Sequence, residues 1–144
     1  MNGHTHIGDI MTRDLVTLTP GTEINRAMHV LLERRISGAP VVDANGWLVG
    51  VLSKKDCLRA ALSASYYREW GDTVADYMSS PVETLDAELD IVAGAQAFIA
   101  SSFRRFPVLR QGKLVGQVSR TDVLRALAEQ WDGPRTATAG PAAS

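Results

Sequence analysis

The sequence repeats itself. Shifted by 67 residues, Asp9-Ile10-Met11-Thr12 falls on Asp76-Tyr77-Met78-Ser79, Thr17-Leu18 on Thr84-Leu85, Ile24 on Ile91, and Pro40-Val41 on Pro107-Val108. One residue is then dropped near Asn45 and the offset becomes 66. Gly46 now meets Gly112, and Leu48-Val49-Gly50 meets Leu114-Val115-Gly116. Ser53, Asp56 and Leu58-Arg59-Ala60 meet Ser119, Asp122 and Leu124-Arg125-Ala126. A repeat of this kind limits the chain to one supersecondary unit used twice. The single indel falls at an expected turn, where it is structurally cheap.

Each copy reads in the same order. A β-type run comes first, Leu15 to Leu18 and Val82 to Leu85. A helix follows, with apolar positions Ile24, Ala27, Met28, Leu31 and Leu32 in one copy and Ile91, Ala95, Phe98 and Ile99 in the other, at helical spacing. Thr22 is the expected N-cap of the first helix, and Asp86 or Asp90 that of its counterpart. A hairpin comes next: Ala39 to Asp43 and Trp47 to Leu52 joined through Asn45-Gly46, where both residues tolerate positive φ. The second copy turns on Gln111-Gly112, a weaker signal. A closing helix runs from about Lys54 to Ala64 and from about Arg120 to Gln130. The order β-α-β-β-α, twice, predicts an α+β (α/β) fold. A unit of about 60 residues buries little surface alone, so two copies packed face to face are expected to share a core.

The chain of 144 residues carries 15 basic and 16 acidic side chains, a net charge of −1. That balance leaves no electrostatic footprint for nucleic acid or an anionic membrane. The single cysteine, Cys57, excludes an internal disulfide and fits a reducing, cytoplasmic setting. Met1 to His6 contain no basic stretch and no apolar run, so no secretory signal is expected. No apolar stretch approaches the roughly 18 residues of a membrane span. The expected organisation is a flexible N-terminus at 1–6, a first unit at 7–64, a linker at 65–72, a second unit at 73–131, and a disordered Gly/Pro/Ala/Thr/Ser tail at 132–144. The linker holds Tyr66, Tyr67 and Trp70, with Gly71 as a helix stop.

The aligned residues resemble a tandem pair of CBS domains, named after cystathionine β-synthase and also called a Bateman module. The resemblance rests on Asp9-Ile10-Met11-Thr12, Ser37-Gly38-Ala39-Pro40-Val41-Val42-Asp43 and Gly50-Val51-Leu52-Ser53-Lys54-Lys55-Asp56. The second copy repeats them as Asp76-Tyr77-Met78-Ser79, Arg104-Arg105-Phe106-Pro107-Val108-Leu109 and Gly116-Gln117-Val118-Ser119-Arg120-Thr121-Asp122. It implies a free-standing CBS-pair protein of two βαββα units, related by pseudo-two-fold symmetry and packed through their sheets. It also implies adenosyl ligands such as AMP, ADP, ATP or S-adenosylmethionine in two clefts between the units, homodimers, and regulation of an unknown protein partner. No cofactor is required; an adenine nucleotide is the expected regulatory ligand.

Candidate site residues centre on Gly50-x-x-Ser53-x-x-Asp56 and Gly116-x-x-Ser119-x-x-Asp122. A strand glycine lets another group approach the backbone closely. A carboxylate in the first helical turn can accept two hydrogen bonds from a ribose diol, and free amides at the helix N-terminus suit phosphate. The same spacing is also a capping box. Spacing alone favours capping, the resemblance favours ribose, and both are compatible in an empty site.

By resemblance, Ile36, Ser37, Gly38 and Ala39 hold an adenine ring. The second copy offers Phe103, Arg104, Arg105 and Phe106, whose arginines could pair with phosphate or be a solvated basic pair. Lys54, Lys55 and Arg120 share that claim more weakly. Thr17, Val51, Thr84, Gln117 and Thr121 complete the expected ligand-binding set. The resemblance implies clefts that borrow parts from both copies, so Asp122 is expected to work with Ile36, Thr17 and Arg105, and Asp56 with partners from the second copy. The two mouths differ, so unequal sites are expected, one of them empty at the limit. The basic residues favour a phosphorylated adenosine over a cationic sulfonium.

Other residues read as structure. His4 and His6 lack a third metal ligand, His29 lies mid-helix, and Cys57 has no neighbouring histidine in sequence. Trp47 and Trp131 fit a core edge or a dimer interface. No nucleophile, base and orienter assemble from this inventory, and neither a Walker loop nor a Gly-x-Gly-x-x-Gly motif is present, so no enzyme is expected. The alternatives are a structural dimerisation or docking module with empty clefts, an S-adenosylmethionine sensor, and a DNA-linked regulator, the last opposed by the near-neutral charge.

Overall fold

The computed structural model describes residues 5–67, 71–80 and 83–139, and side chains up to residue 132. Its elements are α1 (Ile7–Ile10), α2 (Ile24–Arg34), β1 (Gly38–Val42), β2 (Leu48–Ser53), α3 (Lys54–Tyr67), α4 (Val74–Tyr77), β3 (Leu85–Asp86), α5 (Ile91–Ile99), β4 (Arg105–Arg110), β5 (Lys113–Ser119) and α6 (Arg120–Ala139). The expected mixed α/β repeat is present in both copies, each with a helix, a hairpin and a closing helix in that order.

The chain gathers into two compact units, and these are a different partition from the sequence copies. One unit holds the described residues of Met1–Asp14, Thr84–Gln111 and Val115–Ser144, the other those of Leu15–Glu83 and Gly112–Leu114. Each unit therefore includes the short helix that precedes the other copy. In the first unit, Ile7 donates its amide to the Leu89 carbonyl at 2.7 Å and Gly8 to that of Ala87 at 2.8 Å. In the second, Val74 donates to Thr22 at 2.8 Å and Ala75 to Pro20 at 3.0 Å. These pairings match residue for residue across the repeat.

The cause is apolar burial. Ile7 and Val74 are fully buried, Ile7 among Ile91, Val108 and Val118, and Val74 among Leu18, Ile24 and Leu52. Sequestering an aliphatic side chain of this size contributes roughly 1.5–3 kcal/mol. Both short helices are also closed by capping boxes, His6 with Asp9 and Thr73 with Asp76. A four-residue helix is marginal on its own, so capping and burial together hold it.

Each unit carries one small sheet. β3 pairs parallel with β4, and β4 neighbours β5. In the other unit β1 and β2 form the hairpin, and the expected strand at Leu15 to Leu18 shrinks to a single parallel bridge of Leu18 to Val41. Residue 82, the expected start of its counterpart, lies outside the described residues, and the strand found there is Leu85–Asp86.

The caps and turns depart from expectation in instructive ways. Thr22 does not cap α2. Its hydroxyl is hydrogen bonded to Thr19 Oγ1 at 2.7 Å, and Glu23 takes the N-cap position. Asp90 does cap α5, accepting from the Val92 amide at 2.6 Å. The turns reverse their expected strengths. Gln111 and Gly112 both adopt positive φ, 52° and 83°, the pattern of a two-residue type I′ turn, whereas only Gly46 does so in the first hairpin. The extra residue there lengthens the loop, which Asp43 organises by accepting the amides of Asn45 and Trp47 on Oδ1.

α3 continues to Tyr67, three residues past its expected end, and α6 runs to Ala139, through the Gly133-Pro134 pair of the expected tail. Thr5 and His6 are tied down as well. The Gln130 amide donates to Thr5 Oγ1 at 2.9 Å, and His6 bridges Asp90. His4, the other histidine of that segment, lies outside the described residues.

Candidate functional site

Both strand–helix junctions are built by the same few bonds. In the first copy, the Ser53 amide and hydroxyl donate to Asp56 Oδ2 at 2.8 and 2.9 Å, and the Asp56 amide donates back to Ser53 Oγ at 3.1 Å. In the second, the Ser119 amide donates to Asp122 Oδ2 at 2.9 Å and the Asp122 amide returns to Ser119 Oγ at 3.1 Å. These are capping boxes, so the capping reading is realised at both junctions. The Lys54 amide donates to the Ser37 carbonyl at 2.9 Å, and the Arg120 amide to the Arg104 carbonyl at 3.1 Å. The first and third amides of each helix are thus engaged within the chain.

The carboxylates differ in access. Asp56 is 2% exposed, and its second oxygen, Oδ1, accepts from the Arg59 guanidinium one turn along α3. The Asp122 side chain keeps 21% of its surface, and the equivalent Arg125 stands 3.9 Å from Oδ1, an ion pair too long for a hydrogen bond. Next to Asp56, Cys57 is buried. Desolvation, and secondarily the Asp56 charge, push its thiol above the ordinary value.

The strand glycines are approached closely, and the approaching groups are methionines. Met78 and Met11, from the opening motifs, lie against Gly50 and Gly116. A Cβ added at Gly50 would stand 2.6 Å from Met78 Sδ and 3.0 Å from the Ser79 carbonyl oxygen. Val51 and Ser79 exchange backbone bonds at 3.1 and 2.9 Å, as Gln117 and Thr12 do at 3.0 and 2.8 Å. The backbones of Val51 and Gln117 are therefore tied to these opening segments.

The other expected site residues divide cleanly. Thr17, Ile36, Ser37, Gly38, Ala39, Val51, Ser53 and Asp56 lie in one unit, and Thr84, Arg104, Arg105, Phe106, Gln117, Ser119, Thr121 and Asp122 in the other. Gly38 pairs with Ser53 and Ala39 with Leu52, which brings the residues before the strand proline beside the junction. Gly38 is compact by necessity, since a Cβ there would come within 2.9 Å of the Leu52 carbonyl oxygen. Ala39 and Phe106 are core side chains. Phe106 packs against Phe98 and Phe103, with ring centroids 4.8 and 5.5 Å away. Thr17, Ser37, Arg104, Arg105 and Thr121 are exposed. Arg120 turns back to donate its Nε to the Phe103 carbonyl at 2.9 Å.

The CBS domain model matches residues 7–63 and 74–129, most of the chain and both copies. The chain belongs to the CBS domain family. CBSX2 of Arabidopsis thaliana, a chloroplast CBS domain-containing protein, is 30% identical over 154 residues, covering 87% of this CBS pair and 64% of its own length. The crystal structure of CBSX2 in complex with AMP has a TM-score of 0.75 at 31% identity, covering 88% of this chain and 98% of that chain. The uncharacterized protein MJ1225 of Methanocaldococcus jannaschii is 26% identical over 125 residues, 87% of this chain and 44% of its own. The CBS pair spans between about half and two thirds of the length of these curated relatives.

This fold is that of a regulatory module, not an enzyme fold. Among the described residues, no group of three His, Cys, Asp or Glu is placed to hold a metal ion, and no helix is long and apolar enough to cross a membrane. Sequence reasoning overlooked Arg59, whose pairing with Asp56 was signalled by opposite charges three apart on one helix. It also overlooked the methionines of the opening motifs as partners of the strand glycines.

Proposed function

We propose that this CBS pair is a regulatory module that senses a phosphorylated adenosine of the AMP, ADP or ATP type. The observation that carries the reading is Asp122, a partly exposed carboxylate in the first turn of α6 beside the chain bearing Arg104 and Arg105. A ribose diol can donate two hydrogen bonds to such a carboxylate, and guanidinium groups can grip phosphate bidentately. The likeness to CBSX2, whose structure holds AMP, supports the ligand class. A cationic sulfonium compound would gain nothing from the arginines.

Binding is relayed through a second copy or a partner protein. Leu58 and Leu124, at equivalent positions in the repeat, are both 69% exposed and offer matched apolar contacts for a homodimer.

Calorimetry with AMP, ATP and S-adenosylmethionine tests the reading. AMP or ATP is expected to bind and Asp122→Ala to remove the heat. Silence with all three ligands would end the nucleotide reading. A structural module is the second reading, favoured by the saturation of Asp56. It predicts thermal shifts that neither Asp56→Ala nor Asp122→Ala alters.

A further inference from the structure

We propose that Arg59 is a latch that closes the first-copy junction, so that each chain takes up one nucleotide, at Asp122, and not two. This rests on the nucleotide reading above. The repeat supplies the same Ser, Asp and Arg at both junctions, yet only the Asp122 carboxylate keeps an oxygen, Oδ1, that accepts no hydrogen bond among the described bonds. Asp56 Oδ2 already accepts from both the amide and the hydroxyl of Ser53, and Oδ1 accepts from Arg59. With the side chain 3% exposed, a ribose diol could reach it only by displacing the guanidinium from a charge-assisted bond. At Asp122 the hydroxyl bond of the first copy has no counterpart among the described bonds, and Arg125 stands back at 3.9 Å.

The mouths reinforce the difference. Arg104 and Arg105, both exposed, stand in the second copy where the first has Ser37 and Gly38. A nucleotide at Asp122 therefore meets both an available carboxylate oxygen, Oδ1, and phosphate-pairing side chains. At Asp56 it meets a neutralised carboxylate. Arg59 itself is half exposed and can leave, so the latch is releasable.

The test counts AMP bound by the full chain, using calorimetry on the wild type and on Arg59→Gln, Arg59→Lys, Asp56→Asn and Asp122→Asn. One AMP per chain is expected in the wild type. Asp122→Asn should weaken it about tenfold or more, and Asp56→Asn should leave it within about twofold. Arg59→Gln should open a second site. Arg59→Lys, which loses the planar fork, should do so more weakly, so that poor folding of one variant leaves the other. Two equivalent AMP in the wild type, loss of the wild-type site in Asp56→Asn, or a count of one in both Arg59 variants overturns the latch and leaves the nucleotide reading standing. Silence of the wild type and both Arg59 variants with AMP, ATP and S-adenosylmethionine overturns the nucleotide reading itself, and the latch with it; where only ATP binds, the same counts are made with ATP.

Discussion

Met78 packs directly on the backbone of Gly50, its sulfur 2.6 Å from where a Cβ would stand, and Met11 repeats the arrangement at Gly116. The backbone oxygens of Ser79 and Thr12 close the same spaces at 3.0 and 2.9 Å. A methionine end can swing away, but these oxygens belong to bridged chain and cannot. Gly50→Ala and Gly116→Ala are each expected to destabilise the fold by about 1–3 kcal/mol through overpacking. Urea unfolding should show a lower midpoint with unchanged slope. Gly21→Ala is the control, since nothing lies within 4 Å of that position. It should change stability by no more than about 0.5 kcal/mol.

Gly112 combines two constraints that Gly46 separates. Both have positive φ, 83° and 86°, but only Gly112 lies against the Trp47 ring, over which Lys113 also sits at 6.0 Å. Gly46→Ala should cost about 1–2 kcal/mol for its backbone alone. Gly112→Ala should cost more and displace the indole. The expected signature is a red shift in tryptophan emission that disappears in a Trp47→Phe background. Equal costs for the two substitutions would show that the ring contact contributes nothing.

Cys57 should behave as an inert thiol. Burial, then the neighbouring Asp56 charge, raise its pKa in the folded chain. The fold therefore keeps a proton that the unfolded chain gives up near the ordinary thiol value. The stabilisation is fully present below that unfolded value and is lost as pH rises through the folded one. Labelling by a thiol reagent at pH 8 should be slow in the native protein and fast in urea. Between pH 8 and 10 the wild type should lose more stability than Cys57→Ala. Rapid native labelling would contradict the burial.

Much of this architecture was legible because repeats and hydrophobic spacing are local signals. The hairpins, the helix beginning at Ile24 and the Ser-x-x-Asp junctions all follow from residues close in sequence. What stayed hidden depends on distant partners. Nothing near Met11 announces Gly116, and nothing near Ile7 announces Leu89, so the exchange of opening helices between copies could not be read. The cap at Thr22 failed for a local reason, since Thr19 competes for its hydroxyl. The turn at Gln111-Gly112 is tighter than its residue types suggest, because the shorter loop forces positive φ on both residues. At the site, the motif predicted two like junctions. Identical Arg59 and Arg125 gave no hint that only one would grip its carboxylate, because that difference lies in side-chain placement.

Arg104 and Arg105 should contribute to nucleotide affinity through charge and not through the fold. Both side chains are exposed, and the structural contact at this point, from the Arg120 amide to the Arg104 carbonyl, uses backbone that substitution leaves in place. Arg104→Gln and Arg105→Gln should therefore leave the urea midpoint unchanged. Each should lower AMP or ATP affinity by about tenfold if it holds a phosphate oxygen. Added salt should weaken the wild type more than the double variant, because screening acts on the removed charges. Adenosine separates phosphate contact from everything else, since it offers the base and ribose alone. Its affinity should be the same in the wild type and the variants. Parallel losses for adenosine and AMP would place the arginines at the base or ribose, and no loss for either would make them a solvated basic pair.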